Sequence, residues 1–193
     1  MKRLLVIGCG RSGTRYTAKV LRRLDLDIGH EKDGDDGQVS WRAVPAWSRS
    51  EYPVVIHQVR EPLSVISSFH TVMSSSWKFI CENEPRIEMK EPLLVRCMKY
   101  WLYWNQKCSG ADFRFRVEDM NTELPSILDS IGMNYTKGQL MEALEVPKND
   151  HTRKAGHKAS KSYLAITLED MNQVAPWVTN EIIKQAKIYG YNL

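Results

Sequence analysis

The sequence predicts a three-layer α/β fold in which short buried strands alternate with helices. Three stretches carry that expectation. Leu4 to Ile7 is a continuous apolar run ending at Gly8, as a parallel strand covered on both faces should be. Pro53 to Val59 repeats the pattern with Val54, Val55, Ile56 and Val59, bounded by Pro53 and by Glu61-Pro62. Between them, Gly13 to Leu24 places Tyr16, Val20 and Leu24 at helical spacing, so the chain opens as strand, loop, helix.

The remaining elements follow in order. Leu26 to His30 reads as a second strand, and Glu31 to Gln38, rich in Asp and Gly, as an exposed loop. A helix is expected from about Leu63 to Ser74. Pro92 to Cys108 sets Leu94, Cys97, Met98, Trp101 and Cys108 near one helical face after a Glu-Pro start that suits a first turn. Phe113, Phe115 and Val117 alternate with Arg114, Arg116 and Glu118, which predicts a late strand. Short helices are expected over Leu124 to Ile131 and Gly138 to Leu144, and a final one near Pro176 to Tyr189. Before it, Asp150 to Ser162 holds six Lys, Arg or His residues and no apolar stripe, and reads as a basic loop. No internal repeat or dividing linker is visible, so residues 1–193 are expected to form a single domain.

Composition narrows the function classes. The 193 residues are 42% hydrophobic and 26% charged, and the formal net charge is +4. That charge suits an anionic small molecule but falls short of a nucleic-acid or membrane footprint, so neither partner is expected. Cys9, Cys81, Cys97 and Cys108 form no C-x-x-C pair and have no His at metal-ligand spacing, which predicts four reduced thiols and no metal. The N-terminal apolar run is too short for a signal peptide or a membrane span, so a soluble, cytoplasmic protein is expected.

The chemistry concentrates after the first strand. Gly8-Cys9-Gly10-Arg11-Ser12-Gly13-Thr14 lies where a strand meets a helix, so its backbone N–H groups and the helix dipole can hold a phosphate or sulfate. As G-x-G-x-x-G, using Gly8, Gly10 and Gly13, it fits a dinucleotide fingerprint with Glu31 or Asp33 as the ribose acid, and hence an NAD-dependent oxidoreductase. As G-x-x-x-x-G it fits a nucleoside-triphosphate loop. Thr14 and Arg15 then stand where that motif needs Lys and Ser/Thr, which removes the phosphate clamp and the magnesium seat.

Arg11-Ser12-Gly13-Thr14 also resembles the [Lys/Arg]-Ser-Gly-Thr loop with which sulfotransferases grip the 5′-phosphosulfate of their donor. The family's next residue is Ser or Thr; here it is Arg15. A second stretch, Val59-Arg60-Glu61-Pro62 through Ser68-Phe69-His70, resembles the family's 3′-phosphate motif, Arg-x-Pro followed by a helix with Ser eight residues after the Arg. Arg60 and Ser68 fill those positions, and a forked charged donor beside a hydroxyl suits one phosphate. Arg153-Lys154-Ala155-Gly156 looks somewhat like the family's Arg-Lys-Gly segment, with Ala155 inserted, and Arg116-Val117-Glu118-Asp119 resembles a further segment in which Glu118 is expected to be structural.

The resemblance, strongest over residues 4 to 119, implies a nucleotide-kinase-like P-loop fold with a parallel sheet of four or five strands. It also implies an enzyme moving a sulfonate group from 3′-phosphoadenosine 5′-phosphosulfate to a hydroxyl or amine of a small-molecule, carbohydrate or peptide acceptor. The implied donor-binding residues are Gly10, Arg11, Ser12, Gly13, Thr14, Arg15, Arg60, Ser68, Arg153 and Lys154, with Arg11 and Ser12 stabilising the leaving oxygen. For the base, Gly29-His30-Glu31 resembles the Gly-Glu-Glu segment of tyrosylprotein sulfotransferases, whose second Glu is the base, and so favours Glu31. His30, with the better free pKa, is the alternative. His57 and His70 are expected to be structural. Of Trp41, Trp47, Trp77, Trp101 and Trp104, the first two are the better acceptor-pocket candidates and most of the five are expected in packing. A nucleotide-binding module without chemistry stands as the non-enzyme alternative.

Overall fold

The structure is a computed structural model and describes residues 4–146 and 165–193. The described chain forms two compact units: residues 4–59 with 108–146, and residues 60–107 with 165–193.

The first unit is an α/β layer around a five-stranded, wholly parallel sheet, as expected for the fold class. Its strands are β1 (Leu4–Gly8), β2 (Ile28–His30), β3 (Gly37–Ser40), β4 (Val54–Val59) and β5 (Phe113–Arg116). Their spatial order is β2-β3-β1-β4-β5. Leu4, Leu5, Val6 and Ile7 are all fully buried, the signature of a central strand covered on both faces. Helix α1 (Thr14–Arg22) follows β1 and buries Tyr16, Val20 and Leu21. Lys19 and Arg22 lie in its last turn, where cations suit the helix dipole. Arg22 Nε also donates to Ile28 O at 2.5 Å, tying the helix end to β2. After a 3-10 turn (Val117–Asp119), α5 (Met120–Ser130) and α6 (Lys137–Leu144) complete this unit. One core joins Leu4 and Val6 to Val20 and Leu21 of α1 and to Leu124, Ile127 and Leu128 of α5.

Two segments of this unit differ from the expected pattern. The Glu31 to Gln38 loop is shorter than expected, because Gly37 begins β3, which pairs with both β1 and β2. Gly37 enters at φ 136°, and a Cβ there would meet Leu4 O at 1.9 Å, so glycine is what lets β3 lie against β1. The alternation at Phe113 to Val117 ends as strand at Arg116, and Val117 begins the 3-10 turn.

The second unit is helical: α2 (Pro62–Phe69), α3 (Ser74–Asn83), α4 (Leu93–Gln106), α7 (Leu168–Val174) and α8 (Pro176–Ile188). The helix expected over Leu63 to Ser74 stops at Phe69. Thr71 and Val72, both β-branched, follow with tight turn bonds from Thr71 N to Ser68 O and from Val72 N to Phe69 O. Ser74 then opens α3. Aromatic contacts form this core: Phe69 lies 4.2 Å from Tyr100 and 5.1 Å edge-on from Trp77, and Tyr100 lies 5.2 Å from Trp104. Trp77, Trp101 and Trp104 are therefore packing residues, as expected. Beside them Glu84, 2% exposed, is paired with Arg86 at 2.7 Å and Lys107 at 3.3 Å, the company a buried carboxylate needs.

Candidate functional site

In an open parallel sheet, ligands bind beyond the carboxyl ends of the strands where the order reverses. Here that point lies between β1, whose connection leads toward β2, and β4, whose connection leads the other way to β5. The Gly8-to-Thr14 loop leaves β1 at this position. Gly8 pairs in register with Gln58, and a Cβ on Gly8 would lie 2.2 Å from Gln58 O. Only glycine permits that approach.

The loop is held in an uncommon backbone form. Arg11 has φ 69° and Gly13 φ 92°, both left-handed. Among the described residues three non-glycine positions have positive φ: Arg11, Asp25 and Glu31. Asp25 ends the turn after α1; the other two are candidate catalytic residues, and backbone strain gathers at functional sites. Alternating backbone of this kind turns successive N–H groups toward one concavity. The N-terminus of α1 has no side-chain cap, so the first N–H groups of a nine-residue helix face the same region with its positive dipole end. Arg11 is half-buried, and burial holds its guanidinium pKa below the ordinary value.

Ser12 is turned inward rather than toward a ligand. It is 1% exposed, and both its hydroxyl, at 2.6 Å, and its N–H, at 3.2 Å, donate to Cys9 O. Its own carbonyl accepts from Gln58 Nε2 at 2.6 Å. Gln58, with His57 before it, is a polar residue in a strand whose other four positions are Val or Ile, a signal that could have singled it out in the sequence. Thr14 is buried, and its Oγ1 lies 3.2 Å from His30 Nε2, while Arg15 is exposed on α1.

That hydrogen bond joins the loop to the end of β2. His30 Nε2 lies 3.6 Å from Glu31 Oε1. Burial lowers the His30 pKa to about 4, helped by the charges of Arg15 and Arg22, so the ring is neutral at pH 7. Burial pushes the Glu31 carboxyl the other way, above its ordinary value, with hydrogen bonds from Ser40, Trp41 and Arg42 opposing it. Ser40 Oγ donates to Oε2 at 2.8 Å, and the N–H groups of Trp41 and Arg42 donate at 3.3 and 3.4 Å. The φ of 56° at Glu31 folds the side chain back onto these donors. Ser40 was not singled out in the sequence, because its role depends on the unforeseen strand β3. Trp41 and Trp47 are half-buried, each with an arginine over its ring, Arg42 at 5.4 Å and Arg49 at 5.8 Å. His57 is buried within β4.

The second motif has a simple local logic. Glu61 caps α2, accepting from Leu63 N at 2.9 Å and Ser64 N at 2.6 Å, and Pro62 takes the first helical position, where its missing N–H does no harm. Those helix N–H groups are thus occupied by the cap. The groups this motif can offer a phosphate are the half-buried Arg60 and Ser68 side chains. Arg60 O accepts from Trp101 Nε1 at 3.3 Å, and the adjacent Ser67 Oγ accepts from Ile166 N at 2.9 Å. Arg153 and Lys154 lie outside the described residues. Among the described residues no cluster of His, Cys, Asp and Glu could hold a metal, and no helix is long and apolar enough to cross a membrane.

Comparison with known proteins adds little. No family model matches the chain, and no curated protein matches it. Among solved structures the chain is similar to the mouse sulfotransferase SULT7A1 complexed with PAP, with a TM-score of 0.43 and 14% identity over 74% of this chain. It spans 62% of that structure's length, less than two thirds.

Proposed function

We propose that the chain is a sulfotransferase that uses 3′-phosphoadenosine 5′-phosphosulfate and transfers its sulfonate to a hydroxyl or amine. The observation that carries the reading is the Arg11-Ser12-Gly13-Thr14 loop at the β1 end, with its left-handed Arg11 and Gly13 and an uncapped α1 N-terminus. This is an anion cradle built on a sequence that resembles the family's donor loop.

In the proposed reaction the acceptor oxygen or nitrogen forms a bond to sulfur as the bridging bond from sulfur to the donor's phosphate oxygen breaks. The acceptor proton passes to Glu31, and the negative charge on the departing phosphate is met by Arg11 and the N–H groups of the loop. Glu31 fits the base better than His30, because its proton affinity is raised while that of His30 is lowered. Ser12 acts by bracing the loop through Cys9 O. Arg60 and Ser68 take the role of 3′-phosphate contacts that their motif implies.

The dinucleotide alternative meets two obstacles. In the dinucleotide-binding fold β2 lies beside β1, so that its acid reaches the ribose, whereas here β3 stands between them. Both candidate acids are also engaged, Glu31 by Ser40 and Asp33 by Tyr52 at 2.7 Å and Gln38 at 2.9 Å.

The test is thermal unfolding with adenosine 3′,5′-bisphosphate, NAD, or ATP with magnesium. At about 100 times its Kd a ligand stabilises by about 2.7 kcal/mol, a shift of a few degrees at this size. Stabilisation by the bisphosphate that is weakened in Arg60→Ala is the expected result; stabilisation by NAD alone would refute the reading.

A further inference from the structure

The side chain of Gln58 is fully buried, and its two ends are treated differently. Nε2 donates to Ser12 O at 2.6 Å and lies 3.4 Å from where a Cβ on Gly13 would be. Oε1 is buried and accepts no hydrogen bond among the described residues. Reversing the amide would set Oε1 against Ser12 O, so the orientation is fixed by chemistry. A core position chosen for stability would carry an apolar side chain of this size, because a buried acceptor left unmade is costly. Here the amide is retained at the one point where β4 passes beneath the loop, with Gly8 pressed on Gln58 O from the neighbouring strand.

We propose that Gln58 is the positioning residue of the anion loop: its amide grips Ser12 O and holds the Arg11-to-Gly13 backbone in the left-handed conformation that shapes the anion cradle ahead of the α1 N-terminus. The inference rests on the loop being the anion site of the function proposed above. Gln58 itself does not touch the anion. Its grip acts together with the bonds from Ser12 to Cys9 O, so that the residue between two left-handed positions is fixed through its N–H, its hydroxyl and its carbonyl.

The experiment compares wild type with Gln58→Met, which keeps the volume while removing both the gripping N–H and the unsatisfied oxygen. Three quantities are measured: the melting temperature, amide hydrogen exchange at residues 10–14, and Kd for adenosine 3′,5′-bisphosphate and for inorganic pyrophosphate. The expected result is a melting temperature within about 3 °C of wild type, because the two losses offset. Loop exchange should accelerate and Kd should weaken, each about tenfold, the effect of losing one hydrogen bond. A variant that fails to fold, or one with lower melting temperature but unchanged Kd and loop exchange, overturns the inference and makes Gln58 a core residue only. If the wild type binds pyrophosphate but not the bisphosphate, the sulfonate reading falls, and the pyrophosphate ratio still decides the role of Gln58. If the bisphosphate binds equally to both proteins, the role of Gln58 falls and the sulfonate reading stands. Binding of neither anion to wild type would end both.

Discussion

His30 provides a test of the site's electrostatics that needs no ligand. In the unfolded chain its imidazole titrates near 6.5; in the folded protein burial, with Arg15 and Arg22 nearby, brings this to about 4. Between those two values the unfolded chain holds more protons than the native one, so stability falls as pH drops from 6.5 and levels off below 4. An interval of about 2.5 pH units corresponds to about 3 kcal/mol if fully realised. The side chain is 27% exposed, so solvent screens part of the effect, and about 1–2 kcal/mol is expected. Urea unfolding of wild type and His30→Gln at intervals from pH 7.5 to 4 isolates it, since the other carboxylates and histidines are common to both. The stability of wild type relative to the variant should decline by that amount across the window. A difference that stays flat with pH would refute the burial argument, as would an imidazole resonance, absent from the variant, that titrates near 6.5.

Further outcomes follow from the loop and its base. Arg11→Gly should raise the melting temperature by a few degrees, because glycine relieves about 1 kcal/mol of left-handed strain, yet weaken bisphosphate binding tenfold or more through loss of the guanidinium. Gly8→Ala should destabilise by about 2–3 kcal/mol in chemical unfolding, since its Cβ would lie 2.2 Å from a backbone oxygen that cannot swing away. If Glu31 is the base, sulfonate transfer should rise with pH through a midpoint above the ordinary carboxylate range, and that limb should vanish in Glu31→Gln.

Much of this protein is written in local pattern. The runs at Leu4 to Ile7 and Val54 to Val59, the apolar stripe of α1 and the Glu61-Pro62 start of α2 each depend on neighbours a few residues away, and each is found where the sequence places it. The glycines and Arg11 of the loop are legible for the same reason, because a strand-to-helix turn over an anion requires particular residues at particular steps. Strand order is a different kind of fact. Gly37-Gln38-Val39-Ser40 looks like the end of an acidic loop until β1 and β2 are brought to either side of it, and pairing between distant segments leaves no periodic trace. From that pairing come Ser40 beside Glu31 and the separation of β2 from β1. The amide of Gln58 under Ser12 comes from the pairing of β4 with β1. The inward turn of Ser12 and the opposite displacements of the His30 and Glu31 pKa values arise likewise from burial, which depends on what the rest of the chain packs against a residue.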